Sequence, residues 1–232
     1  MNIKHLGVIM DGNRRWAKSH KLELYVGHNK GAENFGQICD WCLQSDIKFL
    51  TVYAFSTENW KREAKEIKHL FSLMEKYFVE EKTRCVEKNI RIKIIGERDR
   101  FDSRALSIIR EIETATADCN RLSVQIALSY GGRDEIVRAV RKIAAEAANG
   151  VISPDSVTEE MFEKYLDTKN IPDVDLVIRT GGAENRRLSN FLPWQTVYAE
   201  LFFSDLLWPE FTRNEFDRAL EYFRSVKRKL GS

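Results

Sequence analysis

The chain has 232 residues, 43% of them hydrophobic, so one α/β domain spanning residues 1–232 has enough length to bury a sizeable core. Its 37 basic and 35 acidic side chains leave a net charge of +2, without the positive excess typical of nucleic-acid-binding proteins. No apolar run is as long as a membrane span, and the N-terminus has no signal-peptide pattern, so we expect a cytoplasmic protein with reduced cysteines.

Apolar runs and helical spacing alternate along the chain. The predicted strands are Leu6–Met10, Phe49–Phe55, Ile90–Ile95, Ser123–Ser129, Val174–Arg179 and Val197–Phe203. The predicted helices are Lys30–Gln44, Lys65–Glu87, Ser103–Asp118, Asp134–Ala148, Glu159–Leu166 and Arg213–Lys229. This alternation predicts a single α/β domain with a mainly parallel six-stranded sheet flanked by helices.

The first predicted strand runs directly into Asp11, Gly12, Asn13, Arg14 and Arg15. Residues that follow a strand of a parallel sheet lie at its carboxyl edge, where α/β proteins bind ligands. Aspartate offers hard oxygen to Mg²⁺, glycine allows close backbone approach, and guanidinium groups match phosphate. A helix that begins near Arg14 adds free amide groups. This order predicts a site for a metal-bound diphosphate; the alternative is a strand-to-helix turn with a solvated basic patch.

Two features of the next 70 or so residues have ordinary structural explanations. Cys39 and Cys42 form a CxxC motif inside a predicted helix, and no second pair supports a zinc site, so buried reduced thiols are favoured. An apolar stripe along the Lys65–Glu87 helix consists of Ile67, Leu70, Phe71, Met74, Tyr77 and Phe78. Core packing explains such a stripe, although the wall of an apolar ligand tunnel would look the same.

Polar residues also follow other predicted strands. They are Ser56, Thr57, Glu58, Asn59, Trp60, Lys61 and Arg62 after the second, Tyr130, Gly131, Gly132 and Arg133 after the fourth, and Arg179, Thr180, Gly181 and Gly182 at the end of the fifth. Parallel strands would bring all of them to one crevice. Arginine clusters with a carboxylate and no evident nucleophile fit the departure of a diphosphate better than covalent catalysis.

The chain has no Walker GxxxxGK[ST] motif and no GxGxxG after the first strand, so neither nucleotide hydrolysis of that type nor a dinucleotide cofactor is supported.

The sequence leaves two possible roles open for each of two residues, Glu200 and His28. Glu200 lies within the last apolar run, where it either pairs with a nearby arginine or has a role at a metal. His28, preceded by Gly27, is predicted to open a helix, where it either donates to a phosphate oxygen or caps the helix.

Six sequence blocks, in order along almost the whole chain, carry a family resemblance. They are HLGVIMDGNRRWA from His5, GHNKGAE from Gly27, LTVYAFSTENWKR from Leu50, LSYGGRDEI from Leu128, DVDLVIRTGG from Asp173 and RLSNFLPWQTVYAELFF from Arg187. With these blocks the chain resembles the cis-prenyltransferases, most closely the bacterial members that make undecaprenyl diphosphate. The paired DDxxD motifs of the trans-prenyltransferases are absent.

The resemblance implies a Mg²⁺-dependent transferase that condenses farnesyl diphosphate with successive isopentenyl diphosphates. The implied product is a long Z-polyprenyl diphosphate, here expected to be undecaprenyl diphosphate, the precursor of the bacterial cell-wall carrier lipid. The family works as a homodimer in the cytoplasm, with transient membrane contact through its product at the inner face of the membrane and no nucleic-acid partner. The growing chain is housed in an apolar tunnel between a sheet face and two helices.

The resemblance also assigns roles by position. Asp11 is expected to hold Mg²⁺ and, together with Asn59, to act in catalysis, with Glu200 as a second metal residue. The residues expected to bind or enclose the allylic diphosphate are Gly12, Asn13, Arg14, Arg15, Trp16, His28, Ser56, Thr57, Glu58, Trp60 and Arg62. The residues expected to bind isopentenyl diphosphate are Arg179, Arg187 and Ser189. The expected tunnel-lining residues are Ala54, Phe71, Met74 and Phe78, with Leu122 near the far end.

The chain departs from the family pattern beside the first motif. Arg14 replaces the usual glycine of DGNGRW, which alters the side chains available to the loop. Leu24 stands where an arginine that helps to bind diphosphate is common, so that contact is either missing or supplied by Lys21.

The second half of the chain departs from the pattern at two places. Two extra residues within 183–186 leave open whether Arg186 or Arg187 binds phosphate, and we favour Arg187 because it directly precedes LSNF. Lys229 takes the place of an arginine common in the family's C-terminal RxG, and the basic run Lys227, Arg228 and Lys229 is either solvated or serves dimer or lipid contacts.

Two other functions compete with this assignment. VIMDG resembles the strand and nucleophilic aspartate of haloacid dehalogenase-type phosphohydrolases, but that chemistry needs a second aspartate where this chain has Asn13. A non-catalytic subunit that only stabilises a partner is the second alternative. The presence of Asp11, Asn59, Arg179 and Glu200 argues against that role.

Overall fold

A computed structural model of the protein describes residues 2–182 and 185–226, in which strands and helices alternate. The strands are β1 (His5–Ile9), β2 (Phe49–Ser56), β3 (Ile90–Ile95), β4 (Leu122–Tyr130), β5 (Leu176–Arg179) and β6 (Glu200–Phe203). The helices are α1 (Asn13–Ser19), α2 (Leu24–Gln44), α3 (Ala64–Glu87), α4 (Ser103–Ala115), α5 (Gly132–Ala148), α6 (Glu159–Glu163) and α7 (Arg213–Ser225). Short 3₁₀ helices occur at Thr57–Lys61, Pro154–Ser156 and Trp208–Glu210.

The six strands form one sheet in the order β3-β4-β2-β1-β5-β6, and every pairing between neighbours is parallel. The predicted single α/β domain with a six-stranded sheet is confirmed. β1 lies between β2 and β5, and its last residue, Ile9, is in register with Tyr53 and Arg179. The segments that follow these three strands therefore meet above β1, and such a position in an open sheet is where ligands bind.

Two apolar layers cover the sheet. The larger layer packs helices α2, α3, α4 and α7 onto one face, and includes fully buried Leu6, Leu50 and Ile126 from alternate positions of the strands. The smaller layer, on the other face, contains Ile9, Tyr130 and Phe191. β1 is buried on both faces and reads as a continuous apolar run, whereas edge strand β3 alternates buried isoleucines with Arg91 and Lys93.

The β3 edge of the sheet is covered by side chains from α4. The amide N–H groups of Ile92 and Ile94, which have no strand partner on that side, donate to Thr116 Oγ1 (3.0 Å) and Glu113 Oε1 (2.8 Å). Arg98 donates to the carbonyl of Ile94 and to Glu113. These bonds satisfy the backbone groups that an edge strand would otherwise expose.

The largest boundary error concerns α2, which begins at Leu24 and not at Lys30. The apolar residues before Lys30, Leu24 to Val26, are consecutive and are followed by Gly27, so they show no helical spacing. They are helical because they pack on α1, a contact that no local pattern shows. The prediction that His28 opens a helix is therefore wrong: it lies in the second turn.

Smaller differences occur at other ends. β5 and β6 begin two and three residues later than predicted, so Val197 lies in an exposed loop and Glu200 is the first residue of its strand. α4 and α6 end three residues earlier than predicted. The last helix ends at Ser225, and the predicted residues Lys227, Arg228 and Lys229 lie outside the described residues.

The four cysteines are not in disulfides. Cys39 and Cys42 are buried in α2, as predicted, and burial raises the pKa of the Cys42 thiol well above its usual range. Neutral thiols in an apolar core are neither redox-active nor metal ligands.

A buried histidine lies at the opposite end of the sheet from the carboxyl edge. His5 is fully buried, with its Nδ1 2.7 Å from the carbonyl oxygen of Pro172 and its Nε2 2.8 Å from the hydroxyl of Thr51. Burial lowers the pKa of His5 from 6.5 to about 4, although Pro172 and Asp175 oppose the shift. His5 is therefore neutral in the folded protein at neutral pH.

This burial predicts an acid sensitivity. Since unfolded His5 takes up a proton below about pH 6.5 while the folded residue resists until about pH 4, stability is full above the first value and declines as the pH falls toward the second. As the pH falls from the first value to the second, the unfolding free energy of His5→Gln should therefore decrease by about 3 kcal/mol less than that of the unchanged chain. Urea unfolding across the range measures this difference. His20→Gln, at an exposed histidine, is the control, and identical pH profiles for His5→Gln and the unchanged chain would contradict the prediction.

Candidate active site

Asp11 stands at the carboxyl end of β1 in a fixed position. Its backbone carbonyl accepts hydrogen bonds from the amide of Trp208 (3.0 Å) and the hydroxyl of Thr180 (2.8 Å). Its carboxylate lies between two guanidinium groups, with Arg179 Nη2 3.0 Å from Oδ2 and Arg15 Nη2 3.2 Å from Oδ1. The carboxylate keeps 32% of its surface exposed. It is therefore anchored through its backbone and still accessible to a ligand.

Arg179 is buried at the end of β5, so its charge needs partners. Besides Asp11, its Nη1 donates to Ser189 Oγ (2.7 Å) and to the backbone carbonyl of Arg187. Arg187 thus contributes its carbonyl to the site, whereas its side chain and that of Arg186 are exposed. Ser189 has a positive φ of 50°, and this backbone conformation turns the 187–190 segment back toward Arg179.

These residues border a cavity of about 820 Å³ at the carboxyl edge of the sheet. The cavity brings together most of the predicted set: Asp11, Gly12, Asn13, Arg14, Arg15, His28, Ser56, Glu58, Asn59, Arg62, Arg179 and Ser189. Trp16, Thr57, Trp60 and Arg187 do not line it. A single pocket therefore unites five segments of the chain, and three of them follow or end strands at this edge of the sheet.

Several buried polar atoms around the cavity have no hydrogen-bond partner among the described residues. They are Asn13 Oδ1, Arg15 Nη2, His28 Nε2 and Arg179 Nε. Leaving such groups unpaired costs free energy, and in functional sites a ligand or ordered water completes them. The two guanidinium nitrogens are donors with positive charge, so an anion fits them.

Glycines let the backbone come close at two places in this site. A Cβ on Gly31 of α2 would lie 2.6 Å from Asn13 Oδ1, and a Cβ on Gly27 would lie 2.2 Å from the Asn13 carbonyl oxygen. α2 therefore holds Asn13 directly against its own backbone. Gly181 has a φ of +113°, and a Cβ there would lie 2.7 Å from Arg15 Nη2 and 2.9 Å from Asp11 Cγ.

One carboxylate, Glu66, contacts two arginines and a histidine of the cavity. Glu66 Oε1 lies 3.1 Å from Arg62 Nη1, 3.6 Å from Arg14 Nε and 3.6 Å from His28 Nε2. Burial, and then the charge of Arg62, lower the pKa of His28 from 6.5 to about 4 against the pull of Glu66. Neutral His28 offers a single N–H or lone pair at this position, and the positive charge comes from the arginines.

The turn after β2 forms one side of the cavity. The amide of Ser56 donates to Asn59 Oδ1 (3.1 Å), which fixes the start of the Thr57–Lys61 turn. Partial burial opposes ionisation of Glu58, but hydrogen bonds from its own backbone amide, Ser56 and Asn190 keep its pKa below the usual value. Trp60 points away and donates from Nε1 to Ser129 Oγ (2.9 Å).

A second, apolar cavity of about 130 Å³ continues from the first between α2, α3 and the sheet. The two cavities share the lining residues Met10, Asn13, His28, Ala54, Phe55 and Leu70. Of the predicted tunnel residues, Ala54, Phe71, Met74 and Phe78 line it. Leu122 does not, because it is the first residue of β4, at the amino edge of the sheet. A ligand with a polar head and an apolar tail would fit both spaces.

Only part of the predicted metal set comes together. Glu200 is in register with Leu176 at the start of β5, whereas Asp11 contacts Arg179 at its end, so the two lie about 10 Å apart along the strands. Glu200 thus does not join Asp11 within one chain, because it lies at the start of β6 and the carboxyl edge is at the end of that strand. No group of three or more histidine, cysteine or carboxylate side chains suited to a metal occurs in the described parts. A Mg²⁺ held by Asp11 would complete its shell with ligand oxygens and water, as Mg²⁺ commonly does.

Some functional positions escaped sequence reasoning. Lys18 lines the cavity one turn after Arg14, whereas Lys21, the expected substitute for a missing arginine, does not. The i, i+4 spacing of Arg14 and Lys18 would have indicated this. Asn190 bridges Glu58 and the amide of Arg133. Glu66 looked like an ordinary exposed charge in a helical pattern.

Comparison with known proteins agrees with this geometry. Residues 9–231 match the family described as "Putative undecaprenyl diphosphate synthase". The chain is 43% identical to an isoprenyl transferase of Aquifex aeolicus (98% of this chain, 95% of that one) and 41% identical to a tritrans,polycis-undecaprenyl-diphosphate synthase (geranylgeranyl-diphosphate specific) of Picrophilus torridus (98% and 89%). Lavandulyl diphosphate synthase of Lavandula x intermedia, solved with dimethylallyl diphosphate, superposes with a TM-score of 0.96 at 33% identity (100% and 99%).

Gly181 provides a test of the site's geometry. Gly181→Ala should place a methyl group against Arg15 and Asp11, and so weaken binding of inorganic pyrophosphate in the presence of Mg²⁺ about tenfold or more, measured by calorimetry. Gly150→Ala is the matched control, because Gly150 also has a positive φ (+69°) but no atom within 4 Å of the added Cβ. Both should lose about 1–2 kcal/mol of stability through backbone strain. Equal pyrophosphate affinity in the two variants would count against this geometry.

Proposed function

The chain belongs to the undecaprenyl diphosphate synthase family of prenyltransferases, and from that premise we propose that it condenses farnesyl diphosphate with isopentenyl diphosphate in a Mg²⁺-dependent reaction that forms Z double bonds. One observation carries the proposal: the polar cavity around Asp11, Arg15 and Arg179 opens into an apolar cavity. A diphosphate head and a hydrocarbon tail are the two parts of an allylic substrate.

Different residues of the polar cavity would stabilise the negative charge on the leaving diphosphate. When the allylic C–O bond breaks, negative charge develops on the departing diphosphate, and preorganised donors lower the energy of that state. Arg15 and His28, whose Nη2 and Nε2 atoms make no hydrogen bond among the described residues and contact only the carboxylates of Asp11 and Glu66, border the space for this group. Arg14 and Arg62 add positive charge from the side of Glu66.

The second substrate is proposed to bind beside Arg179. The guanidinium group of Arg179 contacts Asp11 and Ser189, and Arg179 Nε has no hydrogen-bond partner among the described residues. Ser189 and Arg187 lie on the segment that turns back toward it. This assignment places the two diphosphates on either side of Asp11, with the reacting carbons between them.

The donor set around Asp11 suits Mg²⁺. The Asp11 carboxylate is a hard oxygen ligand and is accessible. The diphosphate would supply further oxygen ligands, and the surrounding arginines would bind its remaining oxygens. When bound, Mg²⁺ supplies positive charge that stabilises the leaving diphosphate.

The apolar cavity and the turn after β2 would keep water from the developing carbocation. Phe55, Leu70 and Phe71 line the cavity beside the polar site. Asn59, in the Ser56–Asn59 bonded turn, is proposed to orient the reacting groups, and Trp60 supports that turn through Ser129 and Phe71.

Farnesyl diphosphate as the primer and undecaprenyl diphosphate as the product are proposals from resemblance. The relatives show that the family varies here: the Picrophilus torridus enzyme is named for geranylgeranyl diphosphate, and the lavender enzyme was solved with dimethylallyl diphosphate.

We also propose a homodimer that contacts the membrane through its product. Val197 and Tyr198, which precede edge strand β6, are 65% and 74% exposed, and a second copy would cover such side chains. Within the described residues, no helix is both long and apolar enough to span a bilayer.

Asp11→Asn tests the role of the carboxylate. Since asparagine keeps the shape but not the charge, kcat for incorporation of labelled isopentenyl diphosphate should fall about 10²–10³-fold. Asp155→Asn, at an exposed position, is the matched control and should retain full activity. Turnover of Asp11→Asn within threefold of the control would contradict the proposal.

Removal of divalent cations tests the metal. With a chelator in excess, formation of butanol-extractable product should stop, because the arginines alone leave the diphosphate charge undercompensated. Added Mg²⁺ should restore it. Continued product formation in the chelator would show that the protein's cations suffice.

A further inference from the structure

A basic cavity lies at the carboxyl end of β3, apart from the polar cavity around Asp11. It has a volume of about 380 Å³ and lies between the end of β3, α5 and the segment that follows α6. No described residue lines both cavities. β3 and β6 are the two edge strands of the sheet, so the dimer contact proposed at Val197 and Tyr198, beside β6, is at the opposite edge.

Cations outnumber carboxylates around this basic cavity. The cations that line it are Lys93, Arg98, Lys142, Lys164 and Lys169. The carboxylates that line it are Glu146 and Asp167. An excess of positive charge in a concave space attracts anions.

The ion pairs at the cavity leave its lysines uncompensated. Asp167 accepts from Arg138, outside the lining, with distances of 3.0 Å to Nη1 and 2.7 Å to Nη2. Arg98 donates to Glu113, also outside the lining, with its Nη2 2.6 Å from Oε1. None of the four lysines forms a salt bridge within the described residues. Four lysines therefore share the cavity with one remaining carboxylate, that of Glu146.

Lys93 is more buried than the other three lysines, and its hydrogen-bond partner is uncharged. Its Nζ donates to the backbone carbonyl of Asp167 (2.8 Å). Burial lowers the pKa of Lys93; the charge of Asp167 opposes this shift and that of Lys169 adds to it. A partly buried ammonium group without a counter-ion is costly, and an anion in the cavity would compensate it.

The wall beside Lys93 is held in place by the protein itself. Asp167 Oδ2 accepts from the amide of Gly96 (3.0 Å), and the amide of Asp167 donates to Glu135 Oε1 (2.8 Å). Gly96 has a φ of +113°, and a Cβ there would lie 2.1 Å from the carbonyl oxygen of Leu128. The cavity is therefore preorganised, which lowers the entropic cost of binding a ligand.

We infer that this cavity is a second binding site for a diphosphate group, separate from the proposed active site. Each phosphate group carries about 1.5 to 2 negative charges at neutral pH, so a diphosphate balances four lysines and one glutamate. Lysine binds phosphate as a point charge through short, charge-assisted hydrogen bonds. Soluble diphosphate and the phosphates of an anionic lipid headgroup share this chemistry.

Equilibrium dialysis against labelled inorganic pyrophosphate tests the site on the full chain. At about 0.15 M salt, charges farther apart than about 8 Å are largely screened, so diffuse attraction contributes little. Lys142→Gln/Lys169→Gln should weaken one class of pyrophosphate site about tenfold or more, because two charge-assisted contacts are lost. Lys142→Arg/Lys169→Arg keeps both charges and should retain the site. Lys48→Gln/Lys82→Gln, at partly exposed lysines outside both cavities, is the matched control.

The outcomes separate this inference from the proposed function. Equal pyrophosphate binding by the Lys142→Gln/Lys169→Gln chain and the control would overturn the inference. Arg15→Gln, in the proposed active site, should weaken only the other class of site, and an inactive enzyme that still shows the Lys142-dependent and Lys169-dependent class would reject the proposed function alone.

Sedimentation with phosphatidylglycerol vesicles identifies the source of the phosphate groups. Vesicle binding that is lost in Lys142→Gln/Lys169→Gln and retained in the control would assign the site to a lipid headgroup. Pyrophosphate binding without vesicle binding would assign it to a soluble diphosphate.

Discussion

The placement of one carboxylate between two guanidinium groups organises the whole carboxyl edge of the sheet. Asp11 pairs with Arg15 from α1 and Arg179 from β5, and its backbone oxygen binds Thr180 and Trp208. The pair with the partly exposed Arg15 contributes little stability by itself, and the pair with Arg179 mainly compensates a charge that burial would otherwise leave unpaired. The contacts of Asp11 matter mainly because they join segments far apart in the chain at the point where a diphosphate and its metal would be bound.

The parallel sheet makes that arrangement possible. β1 lies between β2 and β5, so the loops after all three strands come together without long connections. The glycines of α2 add a second condition, since Asn13 rests on the backbone at Gly27 and Gly31. Glu66, in the first turn of α3, offsets the repulsion between Arg14 and Arg62 and also contacts His28. The site thus depends on tertiary contacts at least as much as on its motif.

Sequence reasoning performed well where local chemistry decides the structure and poorly where packing does. All six strands were located because their sequences are either continuously apolar, as in β1, or alternate apolar and polar residues, as in β3. The start of α2 was missed because contact with α1, and not periodicity, makes Leu24 to Asn29 helical. Glu200 was assigned to a metal site because of its apolar surroundings and the family resemblance, but it is the first residue of β6 and lies about 10 Å from the carboxyl edge. Glu66 has no local signal, since its partners belong to three other segments.

The side chains of α4 along β3 have a consequence for the behaviour of the protein at high concentration. An unprotected edge strand presents amides in the spacing that another chain's strand needs for pairing, and this is a common start of aggregation. Thr116 and Glu113 accept from the amides of Ile92 and Ile94, so these two donors are not available to a strand of another chain. Loss of either side chain would therefore affect colloidal behaviour before it affected turnover, although both residues lie far from Asp11.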